Sequence, residues 1–217
     1  MRRIDGAIFD LDGTLLDSMQ IWDTLAADYL RSLQIEPLDG LFEKTRLMTL
    51  RQTAEYFIAE YSVGQTVDEI ERGVNERIEA FYFHEANFKT GACELLSFFR
   101  EYGVKMCVVT ATEKYLAEAA LSRCGLLGMF DFILTCGDLG FGKDSPAIFE
   151  HALEMLGTQK RRTFVFEDAI HAIRAAKQAG FPVVAVYDQS FANERDELKE
   201  TADFFAETLT ETRDYFA

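Results

Sequence analysis

Two carboxylates that are separated by one residue follow the first apolar segment of the chain. Asp10 and Asp12 come after residues 7–9, which are Ala, Ile and Phe, and Gly13 follows them. The pattern indicates a buried strand with both acids at its carboxyl end, where open α/β sheets bind their ligands. Two adjacent carboxylates repel each other and need a cation or a shared proton, while Gly13 permits a tight turn. The pair predicts a ligand site; the alternative is a turn that carries two solvated acids.

The spacing Asp-x-Asp-Gly also opens calcium-binding loops. Such loops continue with further oxygen ligands and have a Glu at position twelve. Position twelve counted from Asp10 is Ile21, and Leu15 and Leu16 stand between them. A calcium loop is therefore excluded.

Further polar residues lie at the ends of later predicted strands. Thr110 and the pair Glu167-Asp168 each end a strand, and Lys143 lies in the loop after another. Because the carboxyl ends of parallel strands share one edge, we expect these residues to meet the first acid pair there. Several carboxylates at one place imply a divalent cation, and Mg²⁺ is favoured because it leaves positions for water and a phosphate oxygen. A hydroxyl and a lysine beside it suit a phosphoryl group.

Each of these residues also has an ordinary structural interpretation. Taken alone, Thr110 is compatible with a helix N-cap, Lys143 with a solvated side chain, and Glu167-Asp168 with a capping pair. Their common position at strand ends favours one shared site over separate structural roles.

The elements that must position these residues fall into two blocks. Between residues 18 and 85 apolar residues recur at three- and four-residue spacing, which predicts helices and no strand. Strands and helices alternate from residue 88 onward, which predicts a parallel sheet with helices on both faces. The expected fold class is α/β, with a core of residues 1–17 and 86–217 and an inserted, all-helical segment of residues 18–85. Both ends of the insertion join the sheet beside the acid pair, so the insertion is expected to cover the site.

Composition excludes several classes of partner. The chain has 217 residues, with 22 basic and 37 acidic side chains and a net charge of −15, which disfavours nucleic acid and anionic membrane. No apolar run approaches the length of a membrane span, and the N-terminus does not resemble a signal peptide. Four widely spaced cysteines form no Cys-x-x-Cys motif, so we expect buried free thiols. A reduced, cytoplasmic, soluble protein is the resulting expectation. Separately, we expect a monomer or a weak homodimer.

The motifs together resemble those of the haloacid dehalogenase-like hydrolase superfamily, in the branch of β-phosphoglucomutase and phosphoglycolate phosphatase. The first motif matches residues 10–14, the second Thr110, the third Lys143 in a Gly-Lys-x-x-Pro setting, and the fourth Glu167-Asp168. The resemblance covers essentially the whole chain. It implies a Rossmann-like core, and it implies that residues 18–85 form a small helical cap.

The resemblance also implies roles for individual residues. Asp10 would be the nucleophile that becomes an aspartyl phosphate, and Asp12 the general acid and base. Mg²⁺ would be held by the carboxylates of Asp10 and Asp168 and by the main-chain carbonyl of Asp12. Four further residues complete the implied site: Thr110, Lys143 and the backbone of Ala111 as phosphate ligands, and Glu167 as their support.

Three functional hypotheses remain open. The first is a Mg²⁺-dependent phosphatase that acts on a small phosphorylated metabolite, such as a sugar phosphate. The second is a phosphomutase like β-phosphoglucomutase. The Gly-x-x-Arg-like substrate segment of such mutases is not clear in residues 46–51, which disfavours this hypothesis and leaves Arg46 or Arg51 as candidate substrate contacts. The third is a non-catalytic binding module that keeps the fold.

Overall fold

The structure is a computed structural model that describes residues 3–45 and 48–217. The chain divides into two compact units, Met1–Asp17 with Ala86–Ala217 and Ser18–Glu85. We call them the sheet unit and the helical unit.

The sheet unit contains one parallel sheet of six strands in the order β3-β2-β1-β4-β5-β6. The strands are β1 (Gly6–Phe9), β2 (Lys105–Thr110), β3 (Phe132–Thr135), β4 (Thr163–Glu167), β5 (Val183–Val186) and β6 (Phe204–Ala206). The first strand lies at the centre, where Phe9 pairs with Val108 of β2 and with Phe166 of β4. Buried on both faces, it carries apolar side chains throughout, as central parallel strands do.

Helices cover both faces of this sheet, so the predicted α/β fold is confirmed. One face packs Ile8, Val109 and Val165 against helices that supply Phe149 and Ile173. On the other face an aromatic cluster joins the sheet to the helices that carry Phe99 and Phe216, with the rings of Phe9 and Phe166 stacked at 4.4 Å. The helices of the sheet unit are α5 (Ala92–Glu101), α6 (Lys114–Arg123), α7 (Cys136–Leu139), α8 (Pro146–Leu156), α9 (Ile170–Gln178), α10 (Arg195–Thr201) and α11 (Leu209–Phe216).

The helical unit has its own apolar core. Its helices are α1 (Met19–Ser32), α2 (Leu41–Thr45), α3 (Leu50–Tyr61) and α4 (Val67–Ala80), followed by a π-helical turn at Phe81–Glu85. The rings of Tyr29 and Phe57 stack at 6.1 Å in this core. Thr66 and Glu69 form a capping box at the start of α4. The residues from 18 to 85 that the structure describes contain no strand, as predicted.

Two expectations need correction. The cysteines are free, but only Cys107 is buried, whereas Cys93 is exposed and Cys124 and Cys136 are half-buried. Three helices, α2, α7 and α11, were absent from the predicted pattern; the first two have five and four residues, too few for the apolar period to repeat. Among the described residues, we find no helix whose length and apolar character would suit a membrane span.

Candidate active site

The turn after β1 places Asp10 at the carboxyl edge of the sheet. The Asp10 amide donates to the carbonyl of Phe166 at 2.9 Å, which continues the pairing of β1 with β4 for one residue beyond the strand. Gly13 adopts a positive φ of 84°, and its amide donates to the Leu16 carbonyl at 2.9 Å. A residue with a Cβ rarely adopts this backbone conformation, so Gly13 permits the turn that the motif predicted. The side chain of Asp10 is buried, with 3% of its surface exposed.

Lys143 reaches Asp10 from the loop between α7 and α8. Its Nζ contacts the Oδ1 atom of Asp10 at 2.5 Å and also contacts Oε1 of Glu167. Only 11% of the lysine side chain is exposed, so the interpretation of Lys143 as a solvated residue is wrong. A buried ammonium is tolerated here because two carboxylates surround it.

Glu167 and Asp168 end β4 beside this lysine, and both are buried. The second oxygen of Glu167, Oε2, accepts the amides of Asp168 and Ala169, each at 2.8 Å. Glu167 thus satisfies the backbone before α9 and also binds Lys143, so both of its oxygens are engaged. This arrangement agrees with a supporting role. It does not agree with the capping interpretation, because Ala169 is the N-cap of α9 and, in the part of the chain that the structure describes, no side chain caps that helix.

Three carboxylates converge at this place. One oxygen from each of Asp10, Glu167 and Asp168 lies within 4.8 Å of the others. Within residues 3–45 and 48–217, the Oδ2 atoms of Asp10 and Asp168 are buried and have no hydrogen-bond partner. Buried carboxylate oxygens without a donor are unfavourable, and hard oxygen ligands suit Mg²⁺. The residues therefore fit a divalent cation that Asp10 and Asp168 would bind.

The electrostatics of the site support the same interpretation. Burial raises the pKa of Asp10 to about 7, against the opposing effect of Lys143 and with the help of Glu167 and Asp12. Burial, with Glu167 and Asp10 next, raises the pKa of Asp168 well above its usual range. Burial lowers the pKa of Lys143, but Asp10 and Glu167 more than offset this effect, so the pKa is raised and the amine stays protonated. A bound divalent cation would favour the ionised form of both aspartates.

Asp12 does not belong to the carboxylate cluster. Its Oδ2 accepts a hydrogen bond of 2.6 Å from the hydroxyl of Thr112, a residue that the motifs did not single out. The resemblance implies that Asp12 would bind Mg²⁺ through its main-chain carbonyl, and this role stays a prediction.

Thr110, the last residue of β2, is buried, and its Oγ1 accepts the amide of Thr112 at 3.0 Å. It is not the N-cap of the next helix, because Glu113 takes that position. Its own hydroxyl proton can be donated to a ligand, and Ala111 beside it is exposed. The roles of Thr110 and Ala111 as phosphate ligands stay predictions.

The two segments that connect to the helical unit are paired with each other inside the sheet unit. Leu16 forms an antiparallel bridge with Phe88, and the amides of Asp17 and Lys89 donate to the carbonyls of Asn87 and Leu15 at 2.9 and 2.8 Å. Both connections therefore start from one short ladder, and this ladder follows the Asp12 turn.

The candidate substrate contacts in the helical unit gain no support. Arg46 lies outside the described residues. Arg51 is exposed and pairs with Glu55 at 3.7 Å and with Asp68 at 3.9 Å. This is the pattern of a solvated arginine on a helix surface.

The same unit contains a cavity of about 400 Å³ whose lining includes Trp22, Phe42 and Thr53.

Comparison with known proteins supplies the family. The model of the haloacid dehalogenase-like hydrolases matches residues 7–186. Validoxylamine A 7′-phosphate phosphatase of Streptomyces hygroscopicus subsp. limoneus is 30% identical over 207 residues, which cover 95% of each chain. Hexitol phosphatase A of Escherichia coli (strain K12) is 29% identical, and the match covers 85% of this chain and 83% of that one.

A solved structure shares the fold over nearly the full length. It belongs to a Thermotoga maritima protein that is provisionally named a β-phosphoglucomutase, with a TM-score of 0.86, 21% identity and 98% of both chains covered. Sheet order, motif positions and sequence matches agree, and this chain belongs to the haloacid dehalogenase-like hydrolase family.

Proposed function

We propose that this phosphatase hydrolyses a small phosphorylated metabolite, with sugar and sugar-like phosphates as the first candidates, through an aspartyl phosphate on Asp10. The observation that carries the proposal is the buried contact of Asp10 with Lys143, beside two carboxylate oxygens that have no donor in the described chain. The names of the two curated relatives support the substrate class, since both are phosphatases.

In the first step, a carboxylate oxygen of Asp10 attacks phosphorus. A bond forms between this oxygen and phosphorus while the bond from phosphorus to the leaving oxygen breaks. Asp12 gives its proton to the leaving oxygen, so the product leaves as an alcohol. Lys143 and Thr110 bind the phosphoryl oxygens, whose charge is the main obstacle to attack by an anion.

In the second step, water attacks the phosphorus of the aspartyl phosphate. Asp12, now ionised, takes a proton from that water, and the Asp10 carboxylate leaves. Inorganic phosphate is released, and both aspartates return to their starting states. Glu167 holds Lys143 in position throughout, because its Oε2 is fixed by the Asp168 and Ala169 amides.

Mg²⁺ would be held by the carboxylates of Asp10 and Asp168 and the carbonyl of Asp12, and it would offset the negative charge of nucleophile and phosphate. The proposal for the helical unit is that it excludes bulk water and contacts the leaving group. Its support is that both chain connections to this unit start from the ladder beside the Asp12 turn.

A panel of phosphate esters with Mg²⁺ tests the proposal. It would contain validoxylamine A 7′-phosphate, hexitol phosphates, other sugar phosphates and p-nitrophenyl phosphate, and inorganic phosphate would be measured. We expect wild-type release from at least one metabolite and none from Asp10→Asn. No release from any ester, or equal release by the variant, would contradict the proposal.

The phosphomutase alternative differs only in what accepts the phosphoryl group. With β-glucose 1-phosphate and a bisphosphate primer, a mutase forms glucose 6-phosphate without net phosphate release. Both curated relatives are named phosphatases, which favours hydrolysis, so we expect phosphate release and no such isomer. The solved structure bears on the fold alone.

A further inference from the structure

The first hydroxyl after β2, that of Thr112, contacts the proposed general acid rather than the carboxylate cluster. We infer that Thr112 is a positioning residue for Asp12, which holds the Asp12 carboxyl in the orientation that protonates the leaving oxygen. The inference rests on the proposed function, because it assigns a task within that reaction. Its basis is the hydrogen bond of 2.6 Å from Thr112 Oγ1 to Asp12 Oδ2.

Thr112 is itself held by the central part of the sheet. Its amide donates to the Oγ1 atom of Thr110 at 3.0 Å, and Thr110 is the buried last residue of β2. The strand β2 pairs directly with β1 in parallel register, and the turn that carries Asp12 follows β1. Thr112 is therefore held by β2, which lies next to β1, and its hydroxyl contacts the turn that follows β1.

The direction of this hydrogen bond decides which oxygen of Asp12 carries the transferable proton. A hydroxyl that donates to Oδ2 favours the form of the neutral acid whose proton is on Oδ1. It also limits rotation of the carboxyl group, so that Oδ1 has a defined direction. The proton then passes from Oδ1 to the leaving oxygen, and the Thr112 proton stays where it is.

General acid catalysis has a signature that a structural role lacks. The contribution of a general acid to the rate increases as the leaving group becomes more basic. An alkoxide leaves slowly unless it is protonated, whereas a nitrophenolate leaves readily without a proton. Loss of the Thr112 hydroxyl should therefore slow cleavage of an alkyl phosphate much more than cleavage of p-nitrophenyl phosphate. A defect in folding or in phosphate binding would slow both substrates alike.

The test measures single-turnover rates of the first step for both substrates with Mg²⁺ present. In Thr112→Val the rate for the alkyl phosphate should fall about ten- to a hundredfold, because Asp12 becomes charged as it gives up its proton and a hydrogen bond to a charged group is worth about that factor. The rate for p-nitrophenyl phosphate should change little. Thr112→Ser keeps the hydroxyl and should behave as wild type with both substrates.

Three reference variants make the outcome decisive. Thr201→Val makes the same chemical change at a helical hydroxyl that donates to the Glu197 carbonyl at 2.8 Å, and it should leave both rates unchanged. Asp12→Asn should show the largest preference for p-nitrophenyl phosphate, and Thr112→Val in that background should have no further effect. Thr112→Ala replaces Thr112→Val if the latter does not fold.

Equal slowing of both substrates by Thr112→Val, or a Thr112→Ser variant as selective as Thr112→Val, would overturn the inference. If Asp12→Asn shows no preference between the substrates, the proposed acid role fails, and the inference fails with it. If Asp12→Asn slows the alkyl phosphate more than p-nitrophenyl phosphate and Thr112→Val does not, the inference about Thr112 is overturned while the acid role of Asp12 is kept.

Discussion

The sheet unit and the helical unit bury different kinds of side chain. At the carboxyl edge of the sheet, Asp10, Lys143 and Glu167 are buried in contact with one another. In the helical unit, the cluster around Tyr29 and Phe57 is apolar, and the ion pairs of Arg31 and Arg51 join exposed side chains. Buried charges are costly unless they are paired, so a group of several buried charges at one place marks a candidate functional site.

We propose that the reaction and the choice of substrate depend on different parts of the chain. The reaction would depend on a few polar residues at strand ends, whereas substrate recognition would depend on the surface and cavities of the helical unit. Substitutions in each unit, and binding of Mg²⁺, test this division.

Replacement of the nucleophile should have the largest effect. Asp10→Asn keeps the shape of the side chain but removes the anion that attacks phosphorus, so kcat should fall by more than about 10⁴-fold. Steady-state phosphate release measures this loss. Asp39→Asn, the same change on an exposed residue of the helical unit, should keep wild-type kcat, and a comparable loss there would show that the assay reports something other than the nucleophile.

Loss of the general acid comes next. Asp12→Asn should lower kcat by about 10²- to 10⁴-fold, with little change in KM, because proton transfer is lost while phosphate binding is kept. Full steady-state kinetics on one metabolite separate the two constants. An increase in KM with unchanged kcat would move Asp12 from the chemistry to substrate binding.

Removal of the buried ammonium should destabilise the sheet unit. Lys143→Met leaves Asp10 and Glu167 without their cation, which should lower the free energy of unfolding by about 3–5 kcal/mol. Urea unfolding measures the change. As a control, Arg174→Met removes an exposed ion pair with Glu197 and should lower the free energy of unfolding by less than about 1 kcal/mol. An equal loss of stability in the two variants would mean that burial of the site charges has no energetic consequence.

Magnesium should stabilise the protein through the two carboxylate oxygens that have no donor in the described chain. At a concentration of 100 times its dissociation constant, the ion should add about 2.7 kcal/mol to the free energy of unfolding. Urea unfolding with Mg²⁺ and with a chelator measures this gain. Asp168→Asn should remove most of it and Asp39→Asn none, and an undiminished gain in Asp168→Asn would place the ion elsewhere.

A substitution in the helical unit should have the smallest effect and should leave the chemistry unchanged. A Cβ at Gly73 would lie 2.8 Å from the Tyr29 ring, so Gly73→Ala should destabilise this unit by about 1–3 kcal/mol, partly offset by up to about 1 kcal/mol of helix propensity. Thermal unfolding checks the loss against Gly64→Ala, where a Cβ meets no atom within 4 Å. The kcat of the folded variant with p-nitrophenyl phosphate should equal that of wild type, and a loss beyond the unfolded fraction would contradict the division.

The sequence predicts the sheet and the charged residues of the site well because both depend on local signals. The buried strands are short apolar runs, and the run at residues 203–205 indicates an edge strand, which is found at Phe204–Ala206. Residues 146–156 indicate a helix with a proline in its first turn, and the helix is found with those bounds, ending before Gly157. Asp10, Lys143, Glu167 and Asp168 each follow a predicted strand, so topology alone brings them together.

What the sequence does not predict depends on contacts between distant residues. The Thr112 hydroxyl meets Asp12 across 100 positions, and no local pattern marks that pairing. Lys89 likewise joins Asp188 at 2.8 Å and the Tyr187 carbonyl at 2.7 Å after β5. The final helix did carry a signal in the spacing of Leu209, Thr212 and Phe216, which are all buried, but three residues in a short polar segment are a weak period.

The claim that Asp10 is the nucleophile can be tested through the covalent state of this residue during turnover. Wild-type enzyme would be mixed with a turned-over phosphate ester and Mg²⁺, quenched in acid within the first turnover, digested and analysed by peptide mass spectrometry. We expect one phosphoryl group on the peptide that contains Asp10, which disappears as turnover completes and is absent from Asp10→Asn. A turning-over enzyme whose Asp10 peptide never carries a phosphoryl group, or an Asp10→Asn variant that still turns over, would contradict the claim.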